Sequence, residues 1–85
     1  MRISIQNTIN NINEQQSAKI IKSYIADIVP TGQDCITAIT VKLLLDSGYD
    51  YDDTLIEEWK LLFHADKYYI SIKQNRLYLT FIIKI

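Results

Sequence analysis

YYISIKQNRLYLTFIIKI, residues 68–85, consists of two runs in which apolar and mixed residues alternate, separated by Lys73-Gln74-Asn75-Arg76. Period-two alternation in β-branched and aromatic residues on both sides of a polar break predicts a β-hairpin. Tyr68, Ile70 and Ile72 share one face of the first arm, and Leu77, Leu79, Phe81, Ile83 and Ile85 share one face of the second. A two-residue loop at Gln74-Asn75 would pair Ile72 with Leu77, Ile70 with Leu79 and Tyr68 with Phe81, so that the apolar faces coincide. A loop at Asn75-Arg76 keeps the same parity, and Asn tolerates the positive φ that tight hairpin turns need. A lone hairpin is not stable in water, so the upstream chain is expected to cover its apolar face.

Working back from the hairpin, the chain predicts three helices and one further strand. Thr54-Leu55-Ile56-Glu57 has the form of a capping box, and a helix is expected from there to about Ala65. Its wide apolar stripe is Leu55, Ile56, Trp59, Leu62 and Phe63. Thr31-Gly32-Gln33-Asp34 reads as an earlier helix start, with the helix running to about Asp46 and ending at Ser47-Gly48. Ile36, Thr37, Ile39, Thr40 and Val41 are β-branched and make a strand the competing reading of that segment. Before it, Asn13 is a plausible N-cap, Ala18, Ile21, Ile25 and Ile28 fall at helical spacing, and Pro30 would end the helix. Arg2 to Ile5 is short enough for a strand beside the hairpin, and Asn7 to Asn13 is rich in residues that favour turns. The expectation is a single α+β domain over residues 1–85, in the order β-α-α-α-β-β, with three helices on a small antiparallel sheet.

The composition excludes several classes. The 85 residues carry nine basic and ten acidic side chains, a net charge of −1, so the chain as a whole has no drive toward nucleic acid or anionic membrane. A single cysteine, Cys35, rules out an intramolecular disulfide framework and multi-cysteine zinc sites. The polar start, MRISIQNTINN, has no signal-peptide apolar stretch, and no apolar run is long enough to span a bilayer, so a cytoplasmic location is expected. Heavy use of isoleucine, asparagine, lysine and tyrosine fits an AT-rich genome such as that of a mobile element.

No enzyme is expected. Cys35, at the start of the expected second helix, and His64, near the end of the third, are surrounded by no catalytic signature, and a small buried cysteine is the ordinary reading. Gly32 and Gly48 punctuate helices and belong to no phosphate-binding loop. Asp50, Asp52 and Asp53 lack the glycine and terminal glutamate of a calcium loop, so neither metal nor cofactor is expected.

Two surfaces are the candidates for binding. Tyr49, Asp50, Tyr51, Asp52 and Asp53, continued by Glu57 and Glu58, form an acidic-tyrosine patch. Acids at a helix start complement its dipole, but that explains one or two carboxylates only. Clustered carboxylates with tyrosines suit a basic surface on another protein. The outer face of the hairpin carries Tyr69, Ser71, Lys73, Arg76, Tyr78, Thr80 and Lys84, with Lys67 nearby. Basic residues interleaved with aromatics on a sheet are what a single-strand binder shows, although lysine and tyrosine are also ordinary strand residues at a solvent face.

Three helices and a hairpin also outline a winged helix. The start of the third helix would face DNA with Asp52, Asp53, Glu57 and Glu58, which phosphates repel, and the link from Ser47 to Asp53 is too long for a helix-turn-helix. The leading expectation is a small non-enzymatic protein-binding module acting through the acidic-tyrosine surface. In profile, though in no motif, it resembles small phage or plasmid inhibitors, immunity proteins and anti-defence proteins. Such a protein would block a nuclease or another nucleic-acid-binding protein. The alternatives are a nucleic-acid-binding regulator using the winged-helix outline or the hairpin face, and a self-associating structural protein, for instance a homodimer joined along the apolar strand Phe81-Ile82-Ile83-Lys84-Ile85.

Overall fold

The computed structural model describes residues 4–31 and 35–84. Its elements are α1 (Ile5–Gln15), β1 (Ile21–Thr31), β2 (Cys35–Leu45), α2 (Asp53–Leu62), β3 (Lys67–Lys73) and β4 (Arg76–Lys84). The class is α+β, but the order α-β-β-α-β-β, with two helices and four strands, overturns the expected three helices and the winged-helix outline. The strands form one antiparallel sheet in the order β1-β2-β4-β3.

The hairpin is as its alternation predicts. Ile72 pairs with Leu77, Ile70 with Leu79 and Tyr68 with Phe81. Gln74 and Asn75 form the two-residue turn, and both have positive φ, 53° and 62°.

The upstream helices are where the structure corrects the sequence. Residues expected in a helix from Thr31 to Asp46 form β2, with residues 32–34 outside the described ones. In β2 the inward set is Ile39, Val41, Leu43 and Leu45, which pair across to Ile83, Phe81, Leu79 and Leu77 of β4. A central strand with one face packed on a core rewards that period of two, and β-branched residues suit it. Asp46 caps no helix; its carboxylate accepts the Gly48 N–H at 2.9 Å in a tight turn.

The stripe Ala18, Ile21, Ile25 and Ile28, expected in a helix, falls in β1 and the approach to it. There Ile25 and Ile28 point to opposite faces, and they remain 62% and 60% exposed. Pro30 lies in this edge strand at a register shift, where a residue without an N–H is tolerated.

The first helix occupies the asparagine-rich stretch instead. Ile5, Ile9 and Ile12 sit at i, i+4 and i+7, and Ile9 and Ile12 are buried. Ser4 is its N-cap, accepting the Asn7 N–H at 3.4 Å. Of the strand expected from Arg2 to Ile5, residues 1–3 lie outside the described ones, Ser4 caps α1 and Ile5 opens it. Asn13, expected as an N-cap, lies in the last turns of α1. Its carboxamide accepts the Ile21 N–H at 2.9 Å and donates to the Ile21 carbonyl at 3.1 Å, closing the start of β1 as a neighbouring strand would.

α2 is the helix expected from the capping box, with the cap two residues earlier: Asp52 accepts the Leu55 N–H at 2.8 Å. Ile56, Trp59 and Phe63 are buried, while Leu62 is exposed. Both helices lie on one face of the sheet, where Ile9, Ile12, Ile56, Trp59 and Phe63 meet Val41, Leu43, Leu79, Phe81 and Ile83 in one core. Phe81 is at its centre, with ring centroids 5.1 Å from Phe63 and 6.1 Å from Tyr68.

Candidate functional site

The acidic-tyrosine stretch links β2 to α2, on the helix side of the sheet. Structural work occupies part of it. Asp52 is the α2 N-cap, Asp53 lies in the first turn, and Glu57 pairs with Lys60 at 3.8 Å. Tyr51 is half-buried, edge-on to Trp59 with centroids 5.9 Å apart, and its hydroxyl donates to the Asp46 carbonyl at 2.6 Å. Burial, then the Asp46 carboxylate and Tyr49, push its phenol up to about 12. Tyr68 is also raised, by desolvation first and then by the carboxylates of Glu57 and Asp53, so these acids act on a core-side ring. Tyr49, Asp50 and Glu58 remain exposed.

Cys35 opens a strand, not the helix expected there, and His64 is exposed just past α2 with φ at 55°. Among the described residues no group of three or more His, Cys, Asp or Glu could hold a metal ion. No described helix is long and apolar enough to cross a membrane.

The second surface is larger in the structure than in the sequence. Because both helices pack on the odd-numbered residues of β2 and β4, the even-numbered residues of these two strands, with their cross-strand partners in β1 and β3, form an open face across all four strands. Cross-strand pairing sets its rows: Ile25, Lys42, Thr80 and Tyr69 in one, Ser23, Leu44, Tyr78 and Ser71 in the next, Asp27, Thr40, Ile82 and Lys67 beyond. Lys73 opposes Arg76 at the turn end, and Lys84 lies at the other. Every basic and aromatic residue expected on the outer hairpin face is therefore on this one surface.

Lys42 is the member that sequence reading missed, because it was assigned to a helix. Its Nζ lies 4.5 Å from the centre of the Tyr78 ring, reaching diagonally from its own partner Thr80. Thr80, flanked by Lys42 and Tyr69, is only 3% exposed although no helix covers it. The side chains around it therefore form a layer of their own above the sheet. The alternation from Ala38 to Leu45 was the signal that would have found Lys42.

Searches of family models, curated proteins and solved structures returned no match. The charge layout must stand alone. Lys42, Lys67, Lys73 and Arg76 make no salt bridge among the described residues, and Lys84 pairs with Asp66 at 3.4 Å. Asp27 is the one carboxylate in the strand rows, whereas Asp50, Asp52, Asp53, Glu57 and Glu58 lie on or before α2. The net charge of −1 thus conceals a molecule basic on its open face and acidic on its helix layer.

Proposed function

We propose that this protein binds single-stranded nucleic acid on the open face of its sheet. The observation that carries the reading is the cation of Lys42 held over the Tyr78 ring, on an uncovered face that also presents Tyr69 and four further basic residues. Tyrosine rings on a sheet offer bases a stacking surface, and flanking lysines and arginine meet the phosphates. Bases in a duplex are already stacked, which favours single strands over double.

Fluorescence anisotropy with labelled single-stranded DNA and RNA, against a duplex of the same sequence, tests this. Saturable binding of a single strand is expected, with log affinity falling against log salt with a slope of about −3 for four phosphate contacts. The double variants Tyr69→Ala with Tyr78→Ala, and Lys73→Glu with Arg76→Glu, should each weaken it at least tenfold without changing the circular dichroism. No saturable binding at low salt would sink the reading.

A second reading keeps the protein-binding module of inhibitor or anti-defence type. One observation supports it: Tyr49, Asp50 and Glu58 stay exposed and free of ion pairs among the described residues. Affinity pull-down from nuclease-treated lysate, repeated with Asp50→Lys and Glu58→Lys, tests that patch without touching the Asp52 cap. A partner retained equally by the reversed variant would dismiss it.

A further inference from the structure

The sheet has two edges, and only one is guarded. β3 spans seven residues with Lys67 and Lys73 at its ends. A two-fold antiparallel pairing of two β3 strands centred on Ile70 would set each Lys67 against Lys73 of the second copy, an unfavourable opposition of like charges. β4, whose apolar C-terminal run suggests a free edge in the sequence, is instead paired on both sides, by β2 and β3.

β1 is different. It spans eleven residues at the other edge of the sheet. The Asn13 carboxamide closes its first residue and a register shift follows between Ile21 and Ser23. Beyond that point the edge is open: Ser23, Ile25, Ala26, Asp27 and Ile28 are all exposed, and Asp27 is the one charge among them. Long, exposed edge strands with apolar side chains and few charges are templates for another strand.

We infer that β1 pairs with β1 of a second copy, joining two sheets into one across a two-fold axis. A two-fold antiparallel pairing places residues of equal parity opposite each other, so each face meets its own kind. Centred on Ala26, it sets Tyr24 against Ile28 of the second copy on the helix side. On the open side it sets Ile25 against Asp27 of the second copy, and no like charges oppose directly. One contact covers both exposed isoleucines of each β1, and the interface is isologous, closing at a dimer. The two strands are by construction equal in length and alternation, which an unrelated peptide is not. The area covered would be on the order of 1,000 Å², near the lower bound for a specific interface.

Sedimentation velocity of the full chain from about 1 to 200 μM should show a monomer–dimer equilibrium in the range of a modest interface. Hydrogen exchange at the upper concentration should slow for amides between residues 23 and 28 and stay unchanged in β3. Ile25→Lys with Ile28→Lys alters only exposed side chains and should weaken the dimer at least tenfold, with Trp59 fluorescence unchanged. Ile72→Lys, on the other edge, should leave the dimer intact. A monomer over the whole range, assembly beyond a dimer, or a dimer insensitive to the β1 lysines would overturn the inference. Nucleic-acid binding by a monomer is measured separately, so either idea can fail alone.

Discussion

Tyr51 donates its hydroxyl proton to the Asp46 carbonyl and holds the link to α2 against Trp59. Because its folded-state pKa lies near 12, above the ordinary value of 10.0, the folded protein keeps a proton there that the unfolded chain gives up first. Its contribution to stability is therefore complete below pH 10 and is lost as pH rises toward 12. The urea midpoint should fall through that window. Tyr51→Phe should cost about 1 kcal/mol at neutral pH. It should also flatten the alkaline fall, leaving the part due to Tyr68. A fall of unchanged depth in the variant would place the alkaline sensitivity elsewhere. Asn13 is the other residue whose role is specific: Asn13→Ala would leave the Ile21 N–H and carbonyl without their partner. A loss of about 2 kcal/mol is expected for two such bonds, read from denaturant unfolding. Neither role was legible in the sequence, because each joins a side chain to a backbone group whose position the fold alone decides.

At the scale of elements, legibility followed the strength of the local pattern. The hairpin was readable in its parity because alternation on two arms flanks a polar turn; of the two loops that keep that parity, the structure has Gln74-Asn75. α2 was readable because the capping-box pattern Thr54 to Glu57 introduces a broad apolar stripe, although the cap itself is Asp52, two residues earlier. α1 was not, since Asn7, Asn10, Asn11 and Asn13 obscure the spacing of Ile5, Ile9 and Ile12. β1 and β2 were misread because isoleucines three and four apart fit a helical stripe, although two of the three in β1, Ile25 and Ile28, are exposed and face opposite sides. The open face was visible only in its β3 and β4 portion for the same reason. The β3–β4 turn offers a direct check on local encoding. Gln74 and Asn75 both hold positive φ, a conformation that glycine adopts without a Cβ penalty. Asn75→Gly should stabilise the protein by about 0.5 kcal/mol, since the turn type favours Asn-Gly or Asp-Gly. A destabilised variant would mean that the Asn75 side chain does more than adopt the turn.

The whole molecule repeats one arrangement. α1-β1-β2 and α2-β3-β4 are each a helix followed by a hairpin, and the strand order β1-β2-β4-β3 is what a two-fold axis between β2 and β4 generates. No sequence repeat accompanies it. Neither half encloses a core by itself, because the cluster takes Ile9, Ile12, Val41 and Leu43 from one and Ile56, Trp59, Leu79 and Phe81 from the other. The halves should therefore unfold as one unit, and damage in the first should be felt in the second. Ile12 is 1% exposed on α1, and Trp59, the single tryptophan, is 2% exposed on α2. Ile12→Ala should lower stability by about 3 kcal/mol, much of what a domain of this size possesses. Trp59 fluorescence and far-ultraviolet circular dichroism should report the same shifted midpoint, although the substitution lies in the other half. A Trp59 transition left in place while the dichroism loses amplitude early would show that the second helix-hairpin unit stands without the first.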